Sequence, residues 1–405
     1  AYHQRLLASD SGGCATLFRA GGPSLSMMNA TLGNALASTW NELDEGYTRI
    51  AVHPGALSQP LILAAGQAEG HSFEDVMLAT VVAYEVGTRF ARAWPGTLPR
   101  IHPHAAYNAV CAAAGLARLR RLRPATFISA LTAAATMVSP GPYRFAIQGA
   151  LIRNAWPAAG AWLGAFACEL AELGIGGTTD GPFDVYQVIL GAPVSIASEL
   201  SAELGSEWTI ADGYHKLYGA THHAHAAIEA LEAILHSRPD LRGGRDVQEV
   251  TVHCSQMAMH FDNVQPDTTL AAKFSIPHAV AATLAHGADA PGNFLASSLS
   301  DPLIGQLRQR VRLVELADIK PWPYDRPATV TLRLGDGSQL AHSCEAALGS
   351  PARPLESAAV LAKIAQLSRT RAPGLHDAVI RLQQHLAEGH IGRLDFRSWV
   401  KSFYD

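Results

Sequence analysis

Through residues 29–204 the apolar positions recur at helical spacing in an alanine-rich background. Ser72-Phe73-Glu74-Asp75 has the form of a capping box with Asp in the acidic place. It opens a predicted helix to about Ala93, with Leu78, Val82 and Val86 spaced four apart on one face. A second helix is predicted from Pro124, and a third over 162–173, stopped by Gly174. After about Ile210 the pattern changes. Val247–Cys254 alternates apolar and polar residues, as a half-buried strand does. Ala328–Leu334 and 339–343 flank Asp336-Gly337, the pattern of a hairpin with a type I′ turn. Helices are expected between these at about 224–235, 277–286 and 302–311, and another at 355–367. The chain reads as mainly α: a large helical domain built from 1–210 and 347–405, with a smaller α+β domain, 211–346, inserted in it.

Composition narrows the function classes. The chain has 405 residues, enough for two or three domains and a large core. Charged residues are 16% of the chain against the usual ~25%, and hydrophobic residues 48%, which points to much buried surface. A net charge of −4 gives no basic footprint for nucleic acid. No apolar run reaches the roughly 18 residues of a membrane span, so no membrane partner is expected. Cys14, Cys111, Cys168, Cys254 and Cys344 are scattered without a CxxC pair, which argues for free thiols and a cytoplasmic setting. The sequence starts at Ala1 with no basic-then-apolar leader, and part of its natural N-terminus is expected to be missing.

The candidate chemistry concentrates in 34–56. An acidic cluster, Glu42, Asp44 and Glu45, lies about one helix length upstream of His53-Pro54-Gly55. Proline favours the first turn of a helix, which places His53 at the mouth of the next one. Carboxylates and an imidazole at one spot suit proton transfer to and from carbon. The bland alternatives are a helix-capping acidic patch and a plain loop histidine.

The landmarks of this stretch and those that follow resemble the MmgE/PrpD family, which includes 2-methylcitrate dehydratase, cis-aconitate decarboxylase and iminodisuccinate epimerase. Asn34, the carboxylates Glu42, Asp44 and Glu45, and His53-Pro54-Gly55 match its signature region. Tyr84-Glu85-Val86 with Arg89, His102-Pro103, and 167–174 (ACELAELG) follow in the family's order. So do Lys216-Leu217-Tyr218-Gly219 and Lys273-Phe274-Ser275-Ile276-Pro277. The resemblance covers nearly the whole chain. It implies a helical domain with an α+β lid, a homodimer, and catalysis between the domains without metal or organic cofactor. It also implies a small di- or tricarboxylate substrate.

Several positions depart from the family pattern. Thr39 stands where a His is often found, Glu42 where the first Asp is, and Gly46 where a Thr often follows the acidic pair. Arg153 replaces a Lys, and His278 replaces the Tyr after the Phe-Ser-x-Pro motif. The family's shared step moves a proton at a carbon beside a carboxylate or imine, which needs a base and cations to hold developing charge. The resemblance therefore assigns His53, His102, Lys216, Asp44 and His278 to catalysis. It assigns Arg153, Glu42, Glu45, Tyr218 and His222 to substrate binding. A lyase is expected, with dehydration ahead of decarboxylation. An isomerase or epimerase is the alternative, hinted at by an imidazole at 278, and a catalytically inactive binding protein is a third reading.

Two other motifs carry less. His222-His223-Ala224-His225 invites a metal, with His215 or His253, but these spacings point side chains in different directions on a helix. Gly174-Ile175-Gly176-Gly177 lacks phosphate-loop spacing, so no nucleotide is expected.

Overall fold

A computed structural model describes residues 1–96 and 99–404. Proline starts many of its helices: Pro54, Pro103, Pro124, Pro157, Pro277 and Pro302 all sit in a first turn, where the missing N–H costs nothing. The helix Asn108–Leu119 runs through the middle of the larger core, nearly every residue buried. Around it lie Pro54–Ala68, Phe73–Ala93, Pro124–Ala135 and Trp156–Glu172. Alanine and glycine let these axes approach closely. A Cβ on Gly164 would lie 2.7 Å from the Ala109 carbonyl oxygen, so helix Trp156–Glu172 presses directly on the central backbone. C-terminal residues join the same core through Ala378, Phe396, Val400 and Phe403.

The second core is α+β. Its sheet runs Val311–Glu315, Val247–Cys254, Ala328–Leu334, Gln339–Cys344, with the first pair parallel and the others antiparallel. Helices His222–Ser237 and Ile276–His286 pack on this sheet and on each other. Among the described residues no helix is long and apolar enough to cross a membrane. The five cysteines are free, and only Cys14 is exposed.

Several local expectations shift. Ser72 does cap Phe73–Ala93, accepting from Asp75 N at 3.1 Å. The inward face of that helix, however, is Val76, Ala79, Ala83 and Gly87, while Leu78 is 42% exposed. Small residues, not the larger aliphatics, meet the closely packed neighbours. The third helix starts earlier than 162, at Trp156. The helix at 302 stops at Arg308, and Val311–Glu315 is an edge strand that five residues of weak alternation did not reveal. The hairpin closes through 335–338, with Gly337 at φ +85° and Gly337 N donating to Leu334 O at 3.0 Å. Asp336 does not take a positive φ, so the turn is not type I′.

Candidate active site

A short antiparallel ladder joins the two cores: Gly46–Tyr47 pairs with Gly213–Tyr214. It carries Lys216 back to the acidic turn that precedes Gly46. In that turn Glu42 takes φ +53°, a left-handed conformation that costs a non-glycine residue roughly 1–3 kcal/mol. Ion pairs hold it there. The buried Glu42 carboxylate meets the Arg153 guanidinium and, at 3.2 Å, Lys216 Nζ. Lys216 also lies 3.4 Å from Asp44 Oδ1. Burial alone would raise the Asp44 pKa, but Lys216 and then His53 outweigh it and hold the carboxyl well below its usual range. Burial would likewise lower the Lys216 pKa, and Asp44 and Glu42 instead raise it. Arg153 and Lys216 are thus matched by protein carboxylates before any substrate arrives.

The other oxygen of Asp44 faces histidines. Asp44 Oδ2 is 3.0 Å from His53 Nδ1 and 3.5 Å from His104 Nε2. His53 Nδ1 is also 2.6 Å from the Glu45 carbonyl oxygen, so Nδ1 carries the proton and donates. The His53 Nε2 lone pair is left for the cleft, which His53 lines. His102 caps the short helix Pro103–Ala106, its Nδ1 accepting from His104 N at 3.1 Å. Arg153 Nε points its N–H at His102 Nε2 from 3.4 Å, so two donors face a ring that has one lone pair when neutral. Burial and then Arg153 hold the His102 pKa well below its usual value, which keeps the ring neutral.

These groups border a cleft of about 410 Å³ between the two cores. His53, His102, Arg153 and Lys216 line it with Glu42 and His222. So do Tyr143, Tyr214 and Arg326, which the sequence reading did not single out. Arg326 lies 3.2 Å from His222 Nδ1 and 3.5 Å from the carboxylate of its own neighbour, Asp325. Its fork is the cleft cation with the least engaged charge, and it suits a carboxylate.

Three expected site residues fall elsewhere. Glu45 turns away from the cleft, its Oε1 accepting from Ala56 N at 3.2 Å at the start of helix Pro54–Ala68. Gly55 makes room for it, since a Cβ there would meet that same oxygen. Tyr218 lines a separate cavity of about 470 Å³, with its ring against His225. His278 is fully buried in the second core, bonded to Asn293 O at 2.8 Å and near Arg308. Burial pushes its pKa down to about 4. Its helix begins at Ile276, and the first turn aims position 278 into the packing between Ile276–His286 and Pro302–Arg308.

Asp44, His53 and His104 lie within metal-ligating distance of one another. The His53 Nδ1 proton is committed to Glu45 O, and a lysine ammonium adjoins the same carboxylate, so the donors fit a hydrogen-bonded relay better than a cation. The run His222, His223 and His225 forms no such cluster among the described residues. His222 instead lines the cleft.

Two family models match the chain. The MmgE/PrpD N-terminal domain matches residues 3–193, and the MmgE/PrpD C-terminal domain matches 218–388. The chain belongs to the MmgE/PrpD family. No curated protein matches it. Family members are generally dehydratase-like enzymes, which makes a lyase-type function the family expectation. The cleft falls where the matched MmgE/PrpD domains meet, with His53, His102 and Arg153 from the first and His222 and Arg326 from the second. His104 had a signal in the sequence, as the next polar residue after His102-Pro103. Arg326 had none, because its place depends on the return of the chain from Val311–Glu315 to Ala328–Leu334.

Proposed function

We propose that this MmgE/PrpD protein is a cofactor-independent lyase that dehydrates a small di- or tricarboxylate. The observation that carries the reading is the His53–Asp44 pair, with its free Nε2 turned to a cleft rich in cations. His53 removes the proton alpha to a carboxylate. Asp44 holds the resulting imidazolium, much as a buried carboxylate does for a catalytic histidine elsewhere. Arg326 grips a substrate carboxylate, and Lys216 and Arg153, already balanced, set the field in which enolate-like charge develops.

The α+β unit serves as a lid in this reading. Trp322 Nε1 donates to Thr48 Oγ1 at 2.8 Å, and the Arg49 guanidinium lies 4.1 Å over the Trp322 ring, contacts that bridge the two units beside the cleft. Closure would exclude water from the enolate-like intermediate.

Epimerisation is the second reading, favoured by His102, a second imidazole lining the same cleft. The imidazole at 278, which first suggested it, lies outside the cleft. Proton NMR in heavy water with methylcitrate, citrate, malate, tartrates and aminodicarboxylates separates the two. A new vinyl, allylic methyl or methylene signal supports the lyase. Deuterium at one carbon without net product supports the epimerase, and neither signal with any of these acids would sink both.

A further inference from the structure

Gly46 and Tyr214 are direct cross-strand partners in the ladder that joins the two cores. A Cβ on residue 46 would lie 2.6 Å from the Tyr214 hydroxyl and 2.7 Å from two of its ring carbons. No side chain fits there without displacing the phenol. Gly46 is not among the glycines at positive φ, so backbone geometry supplies no other reason for it. The tyrosine ring that the glycine admits is buried, lines the cleft, packs 4.2 Å from the His222 ring and meets the His53 ring edge-on at 6.3 Å.

We propose that Tyr214 is the acid that protonates the departing hydroxyl, and that Gly46 is the gap that lets its phenol reach the cleft. The role rests on the lyase reading above. In the step, His53 Nε2 takes the alpha proton and the C–H electron pair passes into the carboxylate as an enolate, from which it returns as the new C=C bond. The C–O bond breaks with its pair, and the oxygen takes the Tyr214 proton and leaves as water. The phenolate then recovers a proton from the imidazolium through solvent, so that the products are alkene and water.

The energetics favour this residue. Burial pushes the Tyr214 pKa up to about 12, with Lys216 opposing the rise. The phenol therefore stays protonated at neutral pH, yet remains more acidic than the water it forms, whose pKa is about 15.7. Lys216, two residues on, supplies the positive charge that a transient phenolate needs. Lys216 itself keeps its proton between Glu42 and Asp44. Tyr143, which also lines the cleft, is instead stacked on His102 at 5.1 Å.

The pairing can be tested without substrate. Thermal unfolding of Gly46→Ala should show a drop of several degrees in the native background and little drop beside Tyr214→Leu. Equal drops in both backgrounds would overturn the pairing. The acid role is read in heavy water with the carboxylates named above. Tyr214→Phe should form alkene about a hundredfold more slowly, or worse, while still exchanging the alpha proton. Alkene formation at the native rate, or loss of exchange and elimination together, would overturn it. If the native protein eliminates and Tyr214→Phe does too, only the acid assignment fails. If the native protein exchanges protons and never eliminates, the lyase reading fails and the acid role falls with it.

Discussion

Asp44 Oδ2 lies 3.0 Å from His53 Nδ1, in a position to stabilise the imidazolium that forms when the ring takes a proton. Asp44→Asn offers an amide in the same volume. It removes the negative charge that stabilises the His53 imidazolium, while the Glu45 carbonyl still holds the proton on Nδ1. We predict a fall in kcat of about 10²–10⁴-fold with KM little changed, measured by steady-state kinetics on whichever carboxylate is turned over. His104→Gln, which keeps a donor toward Asp44, should retain more activity than His104→Ala.

Glu42 tests the stability side of the same cluster. Removing its carboxylate in Glu42→Ala takes away the carboxylate that pairs with Arg153 and leaves Lys216 with Asp44, all in a buried site. Loss of one member of such a cluster typically costs ~3–5 kcal/mol. Thermal unfolding should show a large drop for Glu42→Ala and a partial recovery in Glu42→Ala/Arg153→Met. Equal stability of the single and native proteins would mean that the left-handed turn at 42 is not held by these pairs.

The sequence made the mainly α class, the strand Val247–Cys254 and the acidic turn legible, because helical periodicity, alternation and the order of motifs are local signals. The contacts were not local. Glu45 sits one residue from Asp44 yet points to a helix start, a difference set by the side-chain direction after a left-handed turn. His278 holds a motif position, but the packing of its helix against Pro302–Arg308 aims it into the core. Arg326 and Tyr214 enter through the meeting of chain segments far apart in sequence, which no spacing rule reports.

Glu45 makes stability depend on pH in a direction that can be checked. Burial raises its pKa from 4.5 to about 7, so the folded state binds the proton more tightly than the unfolded chain. Its contribution, ~3 kcal/mol at most, is fully present below pH 4.5 and is lost as pH rises through about 7. Glu45→Gln stays neutral throughout. Its melting temperature relative to the native protein should therefore be higher at pH 8 than at pH 5, and a constant difference would contradict the assignment.

Arg326 and His278 separate cleft from core. Arg326→Met should raise KM about tenfold or more through loss of the bidentate grip, and Arg326→Lys should recover little of it. His278→Gln should lower thermal stability while leaving kcat/KM within about threefold of native. A selective loss of kcat in His278→Gln, with the fold intact, would return that residue to the catalytic group.

The most direct test is alpha-proton exchange in heavy water, followed by NMR, for the native protein and His53→Gln on the same carboxylate. If His53 Nε2 is the base, deuterium incorporation and alkene formation fall together by about a hundredfold or more in the variant, which should unfold at nearly the native temperature. Exchange at an undiminished rate in His53→Gln would place the base elsewhere and contradict the account.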